Sequence, residues 1–320
     1  MPSKAKAGRI DDIRACIACN QSCIGRAHAG HPISCLQYPE SGREIDFPEQ
    51  TPLLASKSVM IVGGGPAGLK AAAVAAGRGH RVVLHESESQ LGGQALLAQR
   101  LPGREEFGGL VQNLAREARD ADVDIRTGSS VTLEQILHES PEHLILATGA
   151  RPYRPPLEGA EEAHVVDAWD ALQGANVGNS VVIADWRCDW VGIGLAEMMA
   201  TSGRRVRLVV NGAMPGETLQ LYVRNHYLGR LRKLGVEFET NARLFGADAD
   251  SVYFQDTLTD EPMIKEDVDT LLLALGATPV DELGMALEVR GITFTRVGDC
   301  LAPRTAEEAV LDGLKAAWSI

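Results

Sequence analysis

The sequence predicts an α/β protein built from two Rossmann-like domains, the second inserted into the first and both preceded by a cysteine-rich segment. Three observations predict it. A strand–glycine loop–helix–strand pattern begins at Ser58, a second such pattern begins at Ser180, and four of the six cysteines fall between Cys16 and Cys35. The chain has 320 residues, more than one core usually organises, so two domains are expected.

Composition narrows the class. At 45% hydrophobic residues the chain can bury ordinary cores. No apolar run reaches the roughly eighteen residues that a membrane span needs. The start, "MPSKAKAGRIDD", is basic and lacks the apolar middle of a secretory signal, so a cytoplasmic protein is expected. A net charge of −12 argues against nucleic acid, whose binding depends on Lys and Arg neutralising phosphates. The acidity fits ordinary solubility.

The cysteine segment comes first. Cys16, Cys19, Cys23 and Cys35 are spaced C-x2-C-x3-C-x11-C, a density that a disulfide scaffold in a cytosolic chain does not explain. Zinc sites usually take two separated CxxC-like pairs, one from each hairpin end. Three thiolates in one tight loop, with a fourth arriving from beyond, suit the corners of a cubane iron–sulfur cluster better. The residues between them are small, polar or turn-forming, as a loop around a cluster requires. His28 and His31 keep zinc open as an alternative. The blandest alternative is unrelated cysteines in a reduced interior.

After a Pro-marked linker, "FPEQTPLLASK", the run Ser58 to Val62 reads as a short buried strand. Gly63, Gly65 and Gly68 form G-x-G-x-x-G around Pro66 and Ala67, and an Ala-rich helix follows to about Arg78. Gly63 permits the tight turn, Gly65 lets the backbone approach a pyrophosphate, and Gly68 allows close helix–strand packing. The helix start offers free N–H groups and a positive dipole end. A second strand ends at Glu86, placed to accept hydrogen bonds from ribose hydroxyls. A glycine loop alone is a weak signal; strand, loop, helix, strand and acid in order make a strong one.

Two further pieces favour a flavin nucleotide over a nicotinamide one. "LGGQ", with Gly93 and Gln94, gives a second glycine-rich approach, and "LILATGARP" is a buried strand ending in a turn at Thr148 and Gly149. Val131 is counted with the cofactor-binding candidates. Asp299, before a closing helix from Thr305 to Trp318, is placed for the ribityl or pyrophosphate part of a dinucleotide; its bland alternative is a helix N-cap.

The second pattern is strand "SVVIAD", helix "VGIGLAEMMATSG" and strand "RVRLVV". Where glycines are needed it carries Asp185, Trp186, Arg187, Cys188, Asp189 and Trp190, with Gly192 and Gly194 too late in the pattern to replace them. An aspartate repels a pyrophosphate and two indoles fill its space, so the domain is expected to survive without its pocket. A following amphipathic helix is expected to bury Leu219, Leu221, Tyr222, Leu228 and Leu231. Arg224, His226 and Tyr227 read as its solvated face and core edge. His80, His85, His138, His143 and His164 stand in no constellation, and no Ser-His-Asp set, HExxH or Walker loop occurs.

These residues carry a resemblance. Cys16-Ile-Ala-Cys19-Asn-Gln-Ser-Cys23 with Cys35, then Gly63-Gly-Gly-Pro-Ala-Gly68, then Gly298-Asp299-Cys300, resemble the trimethylamine dehydrogenase and 2,4-dienoyl-CoA reductase family. Those are iron–sulfur flavoproteins whose first half is an old-yellow-enzyme-like TIM barrel carrying FMN. The stretch "GETLQLYVRNHYLGRLRKLGVEF" resembles the N-methylproline and dimethylglycine demethylase branch. The resemblance implies a [4Fe-4S] cluster on the four cysteines, and FAD, or ADP in its place, against Gly63, Gly65, Gly68, Glu86 and Gln94. The altered loop at Trp186 departs from the reductases that use NADPH.

No part of the chain suits a barrel, which alone takes about 250 residues. The resemblance therefore implies either a cut-down chain lacking an N-terminal domain or a subunit that docks a barrel-bearing, FMN-binding partner. Its role would be electron transfer within an amine dehydrogenase or demethylase, from that FMN through the cluster to an acceptor such as an electron-transfer flavoprotein. No catalytic residue is assigned, and activity on substrate is not expected of the chain alone. The rivals are an NAD(P)H-dependent FAD/iron–sulfur reductase, similar to dienoyl-CoA reductase or the glutamate synthase small subunit, and an ADP-loaded scaffold. The expected domains are 1–50 for the cluster, 51–174 with 265–320 for FAD or ADP, and 175–264 for the inserted NAD(P)-type domain.

Overall fold

The computed structural model describes residues 2–10, 12–48 and 55–320. Most of the expected linker, 49–54, lies outside the described residues. Along the chain come β1 (Ser58–Val62), α1 (Pro66–Gly77), β2 (Arg81–His85), α2 (Phe107–Asp120), β3 (Asp124–Arg126) and β4 (His143–Leu146). Then follow β5 (Val165–Asp167), β6 (Ser180–Asp185), α3 (Trp190–Thr201), β7 (Arg205–Val210), α4 (Leu221–Lys233), β8 (Glu237–Glu239) and β9 (Thr270–Ala274). The chain closes with β10 (Thr295–Arg296) and α5 (Ala306–Trp318).

These elements form two compact units. Unit 1 is Met1–Gln99, Arg104–Arg151 and Thr278–Ile320; unit 2 is Arg100–Gly103 and Pro152–Ala277. The divisions fall elsewhere than the expected 174/175 and 264/265. The reason is pairing: β5 and β9, read from sequence as part of the first domain, hydrogen-bond into the sheet of β6. The cysteine segment, expected as a separate piece, belongs to unit 1.

Unit 1 holds a parallel sheet in the order β10-β4-β1-β2-β3. α1 starts with Pro66 at its first turn and buries eight of its residues, mostly alanines, whose small side chains let it lie close to the sheet and to α5. Its core joins Val59, Ile61, Leu69 and Leu84 to Leu110 and Leu114 of α2, and it takes in Ile17, Cys19 and Leu36 of the cysteine segment. α5 opens on a capping box: the Thr305 hydroxyl caps the helix while Glu308 returns to the Thr305 backbone.

Unit 2 repeats the design with a parallel sheet in the order β5-β9-β6-β7-β8. Every residue of β6 and β9 is buried, as expected of strands covered on both faces. A three-stranded antiparallel sheet of Ala242–Ala247, Val252–Asp256 and Pro262–Lys265 shares its core. α4 departs from expectation. Leu221 and Tyr222 are exposed and Leu228 is half-buried; Leu231 is buried as expected, joined by Val223. Leu219 is buried as expected but precedes the helix cap at Gln220.

Candidate nucleotide and cysteine sites

The nucleotide site is built at the carboxyl end of β1. Gly63 takes φ +112°, and a Cβ there would lie 2.1 Å from the Ala147 carbonyl oxygen. A Cβ on Gly68 would lie 1.9 Å from the Gly63 oxygen, so α1 meets the loop with no room for a side chain. Gly65 differs: nothing lies within 4 Å of where its Cβ would be. It is the N-cap of α1, which starts without a side-chain cap, leaving the positive helix end uncovered by its own sequence. The first and third glycines serve packing; the middle one faces open space, as a backbone that approaches a ligand must.

The second glycine loop closes on the first. Gly92 N–H donates to the Gly64 oxygen at 2.9 Å, and a Cβ on Gly93 would come within 3.3 Å of the Gly65 Cα. Glu86 is buried; one carboxylate oxygen accepts from Gly64 N–H at 2.7 Å and the other from Glu88 N–H at 2.9 Å. The second of these oxygens also accepts from the Ser87 hydroxyl at 3.1 Å, while the one facing Gly64 keeps a lone pair with which a ribose hydroxyl is compatible. Gln94 Nε2 donates to Asp299 Oδ2 at 2.8 Å, which draws together two of the sequence candidates. Asp299 does not cap α5, since Thr305 does. Its Oδ1 accepts instead from Arg304 N–H at 3.1 Å.

The other candidates sit around this centre. The Thr148 hydroxyl donates to the Val280 oxygen at 2.5 Å, and Gly149, at φ +75°, accepts from Val280 N–H at 3.0 Å. Ala67 is buried under α5, its oxygen 2.2 Å from where a Cβ on Gly313 would lie. Val131 packs against the apolar cluster of Met60, Val62, Ile136 and Leu144.

In the cysteine segment all four thiols are free. Cys16 and Cys35 are exposed, Cys23 is half-buried and Cys19 is buried. Ala18 at φ +48° and Asn20 at φ +55° turn the backbone tightly between the cysteines, and Cys16 Sγ accepts from Ala18 N–H at 3.4 Å. Burial pushes the Cys19 thiol above its usual range, and the nearby Cys23 and Cys35 thiols push the same way. Among the described residues no three His, Cys, Asp or Glu groups form a ready metal-binding set. His28 and His31 are exposed. The donor chemistry, three soft thiols on one tight loop and a fourth beyond it, is of the kind an iron–sulfur cluster takes.

Sequence reasoning missed what holds this segment down. Arg14 pairs with Glu117 of α2, and Glu40 pairs with Lys70 of α1 at 2.5 Å. Arg26 pairs with Glu307 of α5 at 3.1 Å, and Asn113 Nδ2 donates to Gln37 Oε1 at 2.9 Å. Burial pushes the Glu117 carboxyl up, opposed by the Arg14 and Lys70 charges. A signal was present: Lys70 is the one charge in an otherwise apolar "GLKAAAVAAG".

In unit 2, Asp185 lies fully buried at the end of β6, and its Oδ1 accepts from the N–H groups of Arg187 and Cys188, each at 2.9 Å. Burial, aided by Asp189, pushes its carboxyl up to about 7. Gly192 is the third residue of α3, as Gly68 is of α1, and a Cβ there would lie 2.1 Å from Asp185 Oδ2. Expected to come too late, Gly192 therefore still does the packing work of the third glycine.

Two apposed glycine loops under a helix start, an acid at the end of the next strand and a duplicated Rossmann-like unit define a flavin-nucleotide oxidoreductase fold. Comparison agrees: the family model "Pyridine nucleotide-disulphide oxidoreductase" matches residues 57–302, and the chain belongs to that family. It is 33% identical to an NADH oxidase of Thermoanaerobacter brockii, with all of this chain and 50% of the relative covered. With an N,N-dimethylglycine/sarcosine dehydrogenase of Chromohalobacter salexigens it shares 31% identity over 98% of this chain and 51% of the relative. A histamine dehydrogenase structure from Rhizobium sp. 4-9 superposes with a TM-score of 0.92 at 28% identity, covering 100% of this chain and 53% of that one. The chain spans about half the length of the relatives it matches. It is the FAD/NAD Rossmann-like half of a trimethylamine dehydrogenase/dienoyl-CoA reductase-like flavoprotein oxidoreductase. No helix among the described residues is long and apolar enough to cross a membrane.

Proposed function

We propose that this chain is the electron-transfer part of an amine dehydrogenase or demethylase of that family. Cys16, Cys19, Cys23 and Cys35 would hold a [4Fe-4S] cluster, which supplies one-electron transfer when bound. Gly65, the α1 start, Glu86, Gln94 and Asp299 would hold FAD, or ADP in its place. Electrons would come from FMN on a TIM-barrel domain or partner and leave to an external acceptor such as an electron-transfer flavoprotein.

One observation carries this reading: the cysteine loop is fastened to the nucleotide-binding unit. Its Ile17, Cys19 and Leu36 share that unit's core, and four polar ties fix it to three of that unit's helices. A redox centre that exchanges electrons with its surroundings needs a fixed position, and this anchoring supplies one. Ile10, Ile24, Ile33, Tyr38 and Ile45 are exposed on the same segment, which supports a further protein surface covering it. The amine assignment rests on the dimethylglycine/sarcosine dehydrogenase relative.

The test is anaerobic native mass spectrometry of the protein from its own cells, reading polypeptide and cofactor masses together. A mass containing a barrel-sized polypeptide, FMN and four irons supports the proposal. Partner-free chain carrying FAD and a cluster, its flavin bleached rapidly by NADH or NADPH, would replace it with the second reading, a self-sufficient FAD/iron–sulfur reductase. That reading is favoured by the likeness to an NADH oxidase.

A further inference from the structure

The two units allow a comparison within one chain. In unit 1 the residues after Val62 are Gly63, Gly64 and Gly65, and then α1 begins. In unit 2 the strand runs on through Asp185, and 186–189 lead into α3. Counted from the first residue of β1 and β6, Asp185 stands where Gly63 does and Arg187 where Gly65 does. Gly65 faces open space, whereas the Arg187 side chain lies 3.4 Å from where a Cβ on Gly276 would be, at the end of β9.

Four backbone donors of this loop and of the helix start are already used. Arg187 and Cys188 N–H go to Asp185 Oδ1, Val191 N–H goes to Asp189 Oδ1 at 2.9 Å, and Trp186 N–H goes to the Ala274 oxygen at 3.3 Å. A dinucleotide pyrophosphate is held by such donors and by the helix end behind them. Here two aspartates stand in that place, and the second Asp185 oxygen, buried and without a hydrogen-bond partner, faces Gly192 of α3. The loop is also tied from the other side. Thr218 donates to the Cys188 oxygen through its N–H at 3.2 Å and its hydroxyl at 3.0 Å. Trp186 packs on Tyr153, with ring centroids 5.9 Å apart.

We propose that Asp185 closes unit 2 to nicotinamide dinucleotides, its carboxylate taking the N–H groups that a pyrophosphate would need. Asp185 is thus a specificity-determining residue: it keeps the Rossmann-like frame of unit 2 and removes its ligand. Arg187 completes the closure by covering Gly276. The inference is independent of the cluster and of any barrel partner.

The test is calorimetric titration of the protein, its first site saturated with FAD or ADP, with NAD+ and NADP+, oxidised forms that donate no hydride. The wild-type protein is expected to show no saturable binding up to millimolar ligand. Asp185→Gly with Arg187→Gly, which restores the glycines of the unit 1 loop, is expected to bind one of the two at least tenfold tighter than wild type. Saturable wild-type binding in the micromolar range overturns the proposal. So does a double variant that melts like wild type yet binds no better. Should the double variant not fold, Asp185→Ser, which keeps a short polar side chain without the charge, is read by the same criterion.

Discussion

Gln94 and Asp299, 205 positions apart in sequence, meet through a 2.8 Å hydrogen bond beside the glycine loops of unit 1. The amide orients one carboxylate oxygen, while the other is held by Arg304 N–H. Asp299→Ala removes the carboxylate and both contacts; Gln94→Ala leaves Asp299 in place with its Arg304 bond. On the proposed reading, Asp299→Ala lowers nucleotide affinity tenfold or more, in line with about 1.5–3 kcal/mol for hydrogen bonds to a charged group. Gln94→Ala lowers it less. The nucleotide released on denaturation, measured per chain, checks both. Full nucleotide content in Asp299→Ala would remove this residue from the site.

The glycines separate folding from binding. Gly68→Ala drives a methyl into the Gly63 carbonyl and is expected to cost several kcal/mol, seen as a lower urea midpoint. Gly65 has an ordinary φ of −74° and open space around it, so Gly65→Ala is expected to fold with an unchanged midpoint and a reduced nucleotide content. Equal stability losses in the two variants would contradict their different surroundings.

Two of the three buried cysteines, Cys19 and Cys188, make a similar contrast. Cys188 lies alone in unit 2, held above its usual range, at about 11, chiefly by burial. Cys19→Ser is expected to abolish or sharply reduce bound iron and the broad visible absorption of a cluster, while Cys188→Ser leaves both unchanged. Iron analysis after anaerobic reconstitution gives the answer, and undiminished iron in Cys19→Ser would rule out this thiol as a ligand.

Asp185 also sets a pH dependence. Its folded-state pKa of about 7 lies above the ordinary 3.8, so the folded chain holds this proton more tightly than the unfolded chain does. The stability it contributes is therefore complete below about pH 4 and is lost as pH rises through 7, by roughly 4 kcal/mol over the whole range. Asp185→Asn carries no titrating group and is expected to flatten this slope. Melting curves of both proteins between pH 5 and 8 decide it, and parallel slopes would show that other groups set the dependence.

Both Rossmann-like units were legible because each βαβ pattern is contiguous: β1, α1 and β2 follow one another between Ser58 and His85, as do β6, α3 and β7 between Ser180 and Val210. Register across the chain was not. Nothing local says that β9 pairs with β6, so the inserted unit was read too short at both ends. The face of α4 was only partly legible: Leu231 is buried as read, but Val223 is buried with it while Leu221 and Tyr222 in the first turn are exposed. Asp185 was read as a charge that repels a phosphate. Its burial, and its use of the loop's own N–H groups, depend on a loop conformation that spacing does not reveal.

Lys70 shows what such distant pairings contribute. Its side chain is 3% exposed and its partner Glu40 comes from the cysteine segment, thirty positions earlier. Lys70→Met leaves the Glu40 carboxylate, 17% exposed, without its cation in a place water reaches poorly. Breaking a buried pair in this way costs about 3–5 kcal/mol, whereas replacing both partners with apolar groups is often neutral. Lys70→Met is therefore expected to lower the urea midpoint of unit 1 and to open residues 2–48 to proteolysis. The double variant Lys70→Met with Glu40→Leu should recover most of the loss. If the segment is cut no faster in Lys70→Met, its hold on unit 1 comes from Ile17, Cys19 and Leu36 in the shared core and from the Arg14 and Arg26 pairs. If both variants are cut equally fast, the charge itself is required, and the ion pair orients the segment as well as holding it.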